Sequence, residues 1–291
     1  MEKNIYKKKI IEFFLKNMNF LQKLDKIVKK NNSLVCVGLD SDIDKLPAHI
    51  KNKKNPQFLF NKTIVYATHD LICAYKLNSA FYEAQGAKGI EELKLTCNYL
   101  KNEYPEIPII LDAKRADIGN TNIGYVKFAF EYLKVDAITI HPYLGEEAVK
   151  PFLEYKDKGI IILCKTSNPG AHEFQDLKVK GKPLYKIVAE NVTKKWNKNN
   201  NCLLVVGATY PKELAEVRKI VGDMTLLIPG IGVQGGDLKA SLKAGLNSQK
   251  QGLIINSSRG IIFASHEKDF VEKARDETKK LKITINKLRS F

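Results

Sequence analysis

The chain has 291 residues, 44% hydrophobic and 27% charged, a globular balance that excludes wholesale disorder and suffices for one large domain or two small ones. Its net charge of +16 permits an anionic partner, whether nucleic acid, membrane surface or phosphorylated small molecule, without selecting among them. Cys36, Cys73, Cys97, Cys164 and Cys202 lack CxxC spacing and fall mostly in apolar runs, so they read as buried thiols rather than a disulfide framework or zinc site. No apolar run approaches a membrane span, and Glu12 and Lys16 interrupt what would otherwise resemble a secretory signal, so the expectation is a cytoplasmic protein.

Residues 1–33 are Lys-rich, with Ile10, Phe13, Phe14, Met18, Leu21 and Leu24 at helical spacing. They predict an amphipathic helical extension ahead of a single domain over 34–291; a membrane-surface helix is the sharper alternative. Eight short apolar, β-rich runs follow, at 34–39, 72–77, 107–111, 137–140, 160–164, 203–206, 226–228 and 253–255. Helical periodicity marks 57–71, 90–102, 124–133, 146–154, 184–196, 212–220 and 238–244 between them, and a last helix at 266–284. Trp196, among Lys and Asn late in one of these, reads as a helix-surface residue. Near-continuous apolar strands alternating with helices require a parallel sheet covered on both faces, and eight such units point to a (β/α)8 TIM barrel, with a doubly wound sheet as the alternative. The strand ends are rich in polar and glycine residues and the strand starts are not, which places a site at the C-terminal face of the strands. The stretch 167–183 is the longest irregular one and reads as a lid or binding loop.

The sharpest local signal is Asp112-x-Lys114-x-x-Asp117 at the end of the third run. On an extended strand end, side chains two apart project to one side, so Asp112 and Lys114 should meet. With Lys76 and Asn78 ending the neighbouring second run, a Lys–Asp–Lys–Asp array results, in which each charge keeps its neighbours ionised. The array suits a general-acid lysine beside carboxylates, and equally a structural ion-pair network at a barrel rim. After the seventh and eighth runs come Pro229-Gly230-Ile231-Gly232-Val233-Gln234-Gly235-Gly236-Asp237 and Asn256-Ser257-Ser258-Arg259-Gly260. Glycines admit backbone N–H groups to an anion and Arg259 can fork onto phosphate oxygens, so these loops read as a phosphate site. His141 reads as a wall residue rather than a base, and Ser167 as a ligand hydrogen-bonder, since no His/Asp pair accompanies it.

Gly38-Leu39-Asp40, Lys76, Asp112-x-Lys114-x-x-Asp117-Ile118-x-x-Thr121, Thr166-Ser167-Asn168-Pro169, Pro229-Gly230-Ile231-Gly232-x-Gln234 and Ser258-Arg259, in this order over residues 34–265, resemble orotidine 5′-phosphate decarboxylase of the longer bacterial and malarial branch. The resemblance implies a cofactor-free, metal-free (β/α)8 homodimer with shared active sites that converts orotidine 5′-phosphate to UMP and CO2. By position, it implies that Asp40 and Lys76 bind ribose hydroxyls with help from Asn78, that Asp112 lies against the scissile carboxylate, and that Lys114 stabilises charge at C6 and protonates it. Asp117 and Thr121 would reach the partner subunit's ribose, Ser167 the pyrimidine ring, and Gln234 and Arg259 the phosphate. An orotate phosphoribosyltransferase is the partner that coupling of consecutive steps would suggest. Two rivals stand against this reading. One is a Mg2+-dependent sugar-phosphate decarboxylase or aldolase-type synthase sharing the Asp-x-Lys-x-x-Asp motif. The other is a basic nucleic-acid-binding protein, for which no docking motif is present.

Overall fold

The computed structural model describes residues 18–231 and 237–290. Eight parallel strands close into a barrel: β1 (Val35–Gly38), β2 (Ala74–Asn78), β3 (Ile109–Arg115), β4 (Ala137–Ile140), β5 (Gly159–Lys165), β6 (Cys202–Val206), β7 (Leu226–Ile228) and β8 (Leu253–Ser257). Each pairs with its sequence neighbours, and β1 closes on β8 through Val35 opposite Ile255. The long outer helices are α1 (Phe20–Asn31), α2 (Pro56–Thr68), α3 (Gly86–Glu103), α4 (Gly119–Val126), α5 (Gly145–Leu153), α6 (Leu184–Asn191), α7 (Pro211–Val221), α8 (Leu238–Gly245) and α9 (Phe270–Arg289). The strands are buried on both faces, by lumen and by helices, which is why their sequences are apolar runs rather than alternations. All five cysteines are buried free thiols, as their apolar settings imply.

Four local features depart from the sequence reading. Strand β3 runs on past its apolar stretch through Asp112 to Arg115, because polar residues at the top of a barrel strand still pair with their neighbours. Helices α4 and α6 each continue into a π-helical segment, Lys127–Tyr132 and Val192–Trp196, closed by bonds such as Asn197 N–H to Val192 O at 2.9 Å. Trp196 is not a surface residue: it is 5% exposed and joins Ala189 and Val192 in the core, an i, i+3, i+7 stripe that outweighs its Lys and Asn neighbours. Finally, the stretch 167–183 is not structureless. It contains a short helix, Ala171–Gln175, and a two-stranded hairpin of Lys178–Val179 with Lys182–Pro183, turned at Lys180 and Gly181, both at positive φ.

Helix α1 seals the bottom of the barrel. Asn19 and Gln22 form a capping box at its start, and Phe20, Leu24, Ile27 and Val28 belong to the same core as the strands. Phe20 packs where a Cβ on Gly159 would otherwise sit, at 2.4 Å, so only glycine fits at the start of β5. Asn31 donates to the carbonyls of His69 and Ile72, at 2.9 and 2.8 Å. Lys23 reaches Asp136, just before β4, at 2.9 Å, with Lys101 at 3.7 Å and the Ile109 N–H at 2.8 Å on the same carboxylate. Ile10, Phe13 and Phe14 lie outside the described residues.

Burial works to raise the Asp136 carboxyl, but Lys23 and Lys101 hold it below the ordinary range. A depressed folded-state value means stability that is fully present above the unfolded-state value of about 3.9 and disappears as pH falls through the folded one. Asp136→Asn leaves the buried Lys23 without its counter-charge. Chemical denaturation at neutral pH should show a loss of about 3–5 kcal/mol, and the difference from wild type should shrink as pH falls below 4.

Candidate active site

Four charged side chains meet at the C-terminal mouth of the barrel. Lys76, near the end of β2, is buried, and its Nζ lies 2.9 Å from Asp112 Oδ2 and 3.4 Å from Asp40 Oδ1. Lys114 Nζ lies 2.7 Å from Asp112 Oδ1. The charges therefore alternate as Asp40–Lys76–Asp112–Lys114. Burial would raise the Asp112 carboxyl, yet the two ammonium groups beside it hold it well below the usual carboxylate range. Burial would likewise lower Lys76, and Asp112 and Asp40 overcome that, raising it above an ordinary lysine. Beneath them, burial pushes the Cys36 thiol up to about 12, so it stays protonated.

The two ends of the Asp112–Lys114 pair are brought together by a bulge, not by regular strand alternation. Leu111 pairs with Ile138 and Arg115 with Ile140, so Asp112, Ala113 and Lys114 lie opposite one residue of β4, Thr139. Lys114 has φ +49°, the left-handed region, and among the described residues it is the only non-glycine inside a strand with positive φ. Thr139 Oγ1 accepts from the Lys114 backbone N–H at 3.0 Å and donates to Asp112 Oδ1 at 2.8 Å. On the other side Tyr82 Oη donates to the Leu39 carbonyl at 2.8 Å and accepts from Asn61, and Gln57 donates to the Ser41 carbonyl at 2.7 Å, bracing the chain on both sides of Asp40. Nothing in the sequence pattern singled out Thr139, Tyr82 or Gln57, since their polar groups are recognisable only from what they face.

The array floors a cavity of about 510 Å³. Asn78 and Ser167 line it, and Arg259 stands at its edge with Gly230 and Gly260. Glycines shape the walls: a Cβ on Gly38 would meet Ser258 Oγ at 1.8 Å, and one on Gly207 would meet Ser167 Cβ at 2.7 Å. The loop after β5 is tied down at both ends of its first turn. Gln175 exchanges hydrogen bonds with Thr166, at 2.9 and 2.8 Å, and the fully buried Lys165 holds Asp176 at 2.6 Å beside the Tyr210 ring. Gln175, Asn168 and Asn256, which also line the cavity, had no assigned role in the sequence reading. The Asn256 Oδ1 is buried with no hydrogen-bond partner among the described residues.

Asp117 and Thr121, which the resemblance assigns to the partner subunit's ribose, do not line this cavity. Asp117 accepts from the Ile118 N–H at 2.6 Å and makes no ion pair among the described residues, and Thr121 is exposed in the first turn of α4. The four-charge array thus contains Asp40 in the place expected for Asp117. Gln234 lies outside the described residues. The ring Nδ1 of His141 accepts from the Tyr143 N–H at 3.3 Å, a local turn contact, and His141 does not line the cavity. No three His, Cys, Asp or Glu side chains converge as a metal-binding group among the described residues, and none of their helices is long and apolar enough to cross a membrane.

Fold and site together define a barrel enzyme whose charged floor and glycine-walled mouth suit an anionic small molecule. The sequence profile of the family described as "Orotidine 5'-phosphate decarboxylase / HUMPS family" matches residues 33–274, and the chain belongs to that family. An orotidine 5'-phosphate decarboxylase of Cellvibrio japonicus is 48% identical over 275 residues, covering 94% of this chain and 100% of that one. Its counterpart from Janthinobacterium is 47% identical over 270 residues, covering 93% and 99%. Among solved structures, Leishmania donovani OMP decarboxylase superposes with a TM-score of 0.83 at 39% identity, covering 94% of this chain and 100% of that one. Leishmania donovani UMP synthase gives 0.84 at 40% identity, and there the chain spans only 57% of the longer protein.

The ordering of charges has a measurable consequence. Lys76→Met removes the ammonium that burial and two carboxylates share, and leaves Asp112 with Lys114 alone. Carbon-13 titration of labelled aspartate should show the Asp112 carboxyl moving upward from its position below the ordinary range; an unmoved titration would mean that Lys114 suffices to hold it.

Proposed function

We infer that this chain decarboxylates orotidine 5′-phosphate to UMP and CO2 in pyrimidine biosynthesis, and that the alternating charge array performs the chemistry. The observation that carries the mechanism is the unbroken sequence Asp40–Lys76–Asp112–Lys114 on the cavity floor. In the proposed step the bond from C6 to the carboxylate breaks, its electron pair stays on C6, and CO2 departs. No cofactor takes up that pair, so the nearby ammonium of Lys114 must stabilise it and then deliver a proton to C6. Being fixed by Asp112, that ammonium reorganises little as charge develops.

Asp112 would face the substrate carboxylate, and Asp40, Lys76 and Asn78 the ribose. Ser167 would reach the pyrimidine, and Arg259 with Gln234 the phosphate. Phosphate binding remote from C6 then supplies binding energy that can close the loop after β5 over the substrate. The rival reading within the family, a metal-dependent sugar-phosphate reaction, needs open carboxylates for the ion. Here Asp40 and Asp112 are engaged by ammonium groups, which favours the metal-independent reaction.

Asp117 and Thr121 enter through a homodimer with shared sites. They sit at the same end of the barrel as a set of exposed apolar side chains, including Ile118 at 60% and Tyr143 at 80%, which supports burial against a second copy. An orotate phosphoribosyltransferase, whose product this site consumes, is the partner enzyme that the same reading implies.

Ultraviolet-monitored loss of orotidine 5′-phosphate tests the reaction. Turnover should survive EDTA and fall by at least about 10³-fold in Lys114→Ala; activity lost in EDTA and restored by Mg2+ would return the site to the metal-dependent reading. Shared sites are tested by mixing two inactive homodimers, Lys114→Ala and Asp117→Ala. A heterodimer would contain one intact site, so a freely exchanging equal mixture should recover about a quarter of wild-type activity. Exchange without recovery would place Asp117 outside the partner's site.

A further inference from the structure

We propose that Thr139 is a positioning residue for the decarboxylation: one buried hydroxyl sets the Lys114 ammonium relative to the Asp112 carboxylate. The proposal rests on the assignment of Lys114 and Asp112 as the reacting pair. Its basis is the bulge, where three residues of β3 span the place of one on β4 and that one is Thr139. Such a bulge has no ladder to fix it and leaves Lys114 at φ +49°, a conformation that a lysine does not choose unaided. Thr139 restores both ends. It accepts the Lys114 N–H at 3.0 Å and donates its own proton to Asp112 Oδ1 at 2.8 Å, the same oxygen that receives Lys114 Nζ at 2.7 Å.

The chemistry of the residue fits the task closely. A hydroxyl is both donor and acceptor, so it can serve an N–H and a carboxylate at once, and a threonine is small enough for the single register position. Its branched Cβ restricts χ1, which aims the hydroxyl before substrate arrives. Thr139 is fully buried and does not line the cavity, so its influence on substrate passes through Asp112 and Lys114. Its consequence should therefore appear in the chemical step rather than in binding, because ribose and phosphate contacts lie elsewhere on the cavity wall.

Thr139→Val keeps the shape and the branch but removes donor and acceptor together. Steady-state kinetics should show kcat lower by about 10²-fold, with KM for orotidine 5′-phosphate and the affinity for UMP little changed. Thr139→Ser, which keeps the hydroxyl, should restore most of the rate. If the valine variant does not fold, Thr139→Ala removes the same hydroxyl and is judged by the same split. Wild-type kcat in a folded variant lacking the hydroxyl would overturn the proposal, as would kcat and UMP affinity falling together, which signals general disruption. Lys114→Ala, run in parallel, separates the two levels. If it retains wild-type turnover, the assignment of the reacting pair has failed; if it is inactive while Thr139→Val is unimpaired, only the role of Thr139 has.

Discussion

The site depends on keeping one ammonium charged where water cannot reach it. Two unit charges about 3 Å apart attract by about 5 kcal/mol at an effective dielectric near 20, while removing each ion from water costs several kcal/mol. One carboxylate would therefore leave Lys76 near break-even. Two carboxylates, Asp40 and Asp112, tip the balance, and Lys114 in turn compensates Asp112. Each member is justified by its neighbours, which is why the array has to be built from three strand ends and cannot be assembled on one. The barrel supplies that convergence: β1, β2 and β3 are adjacent, and their register puts Gly38 opposite Lys76 and Asn78 opposite Asp112.

The bottom of the barrel uses the same physics for another end. Asp136 is held there by Lys23 and Lys101, two lysines on one carboxylate, and α1 covers it. Both networks depress an aspartate against the effect of burial. What separates them is access. The upper array opens on a cavity of about 510 Å³, and the lower one lies at the covered end of the barrel with its carboxylate engaged by two ammonium groups and a backbone N–H. A shifted carboxyl alone would not tell them apart; the strand polarity of the barrel does, since sites lie at the C-terminal ends of its strands.

The barrel was legible because its strands are buried on both faces and so stand out as apolar runs, such as 137–140 and 226–228, which the structure reproduces. Helix termini and the polar ends of strands were less so. The run at 107–111 ends where β3 still has four residues to go, because hydrophobicity reports burial and not pairing. Trp196 reads as exposed from its Lys and Asn neighbours but is buried, because charged neighbours on the far face of a helix say nothing about the near one. Among site residues, charge and spacing made Lys76, Asp112 and Lys114 visible, whereas Asp40 came only through the family resemblance. Thr139 and Tyr82 are ordinary strand and helix residues in sequence, and only the closed barrel shows the oxygen atoms they hold. Asp117 and Thr121 illustrate a different limit, since spacing from Asp112 and Lys114 does not tell whether a side chain beyond the strand end turns into the cavity or away from it.

The Asp112–Lys114 pair departs from the regular strand in a more specific way. Extended geometry predicts that Asp112 and Lys114 share a face, and they do meet, but through a bulge and a left-handed lysine. A non-glycine residue in that region costs about 1–3 kcal/mol. The regular strand would avoid the cost but would also pair the Lys114 backbone in the ladder and fix its side chain by the pleat alone. The bulge instead frees Lys114 from the ladder and lets its N–H, its ammonium and the Asp112 carboxylate be set by one another and by a single hydroxyl. A net gain of about 0.5–1.5 kcal/mol for each neutral hydrogen bond, and more for those to charge, is of the size needed to offset the strain. The local conformation is thus unfavourable by itself and stable in context, and it lies on the floor of the cavity at the C-terminal mouth of the barrel.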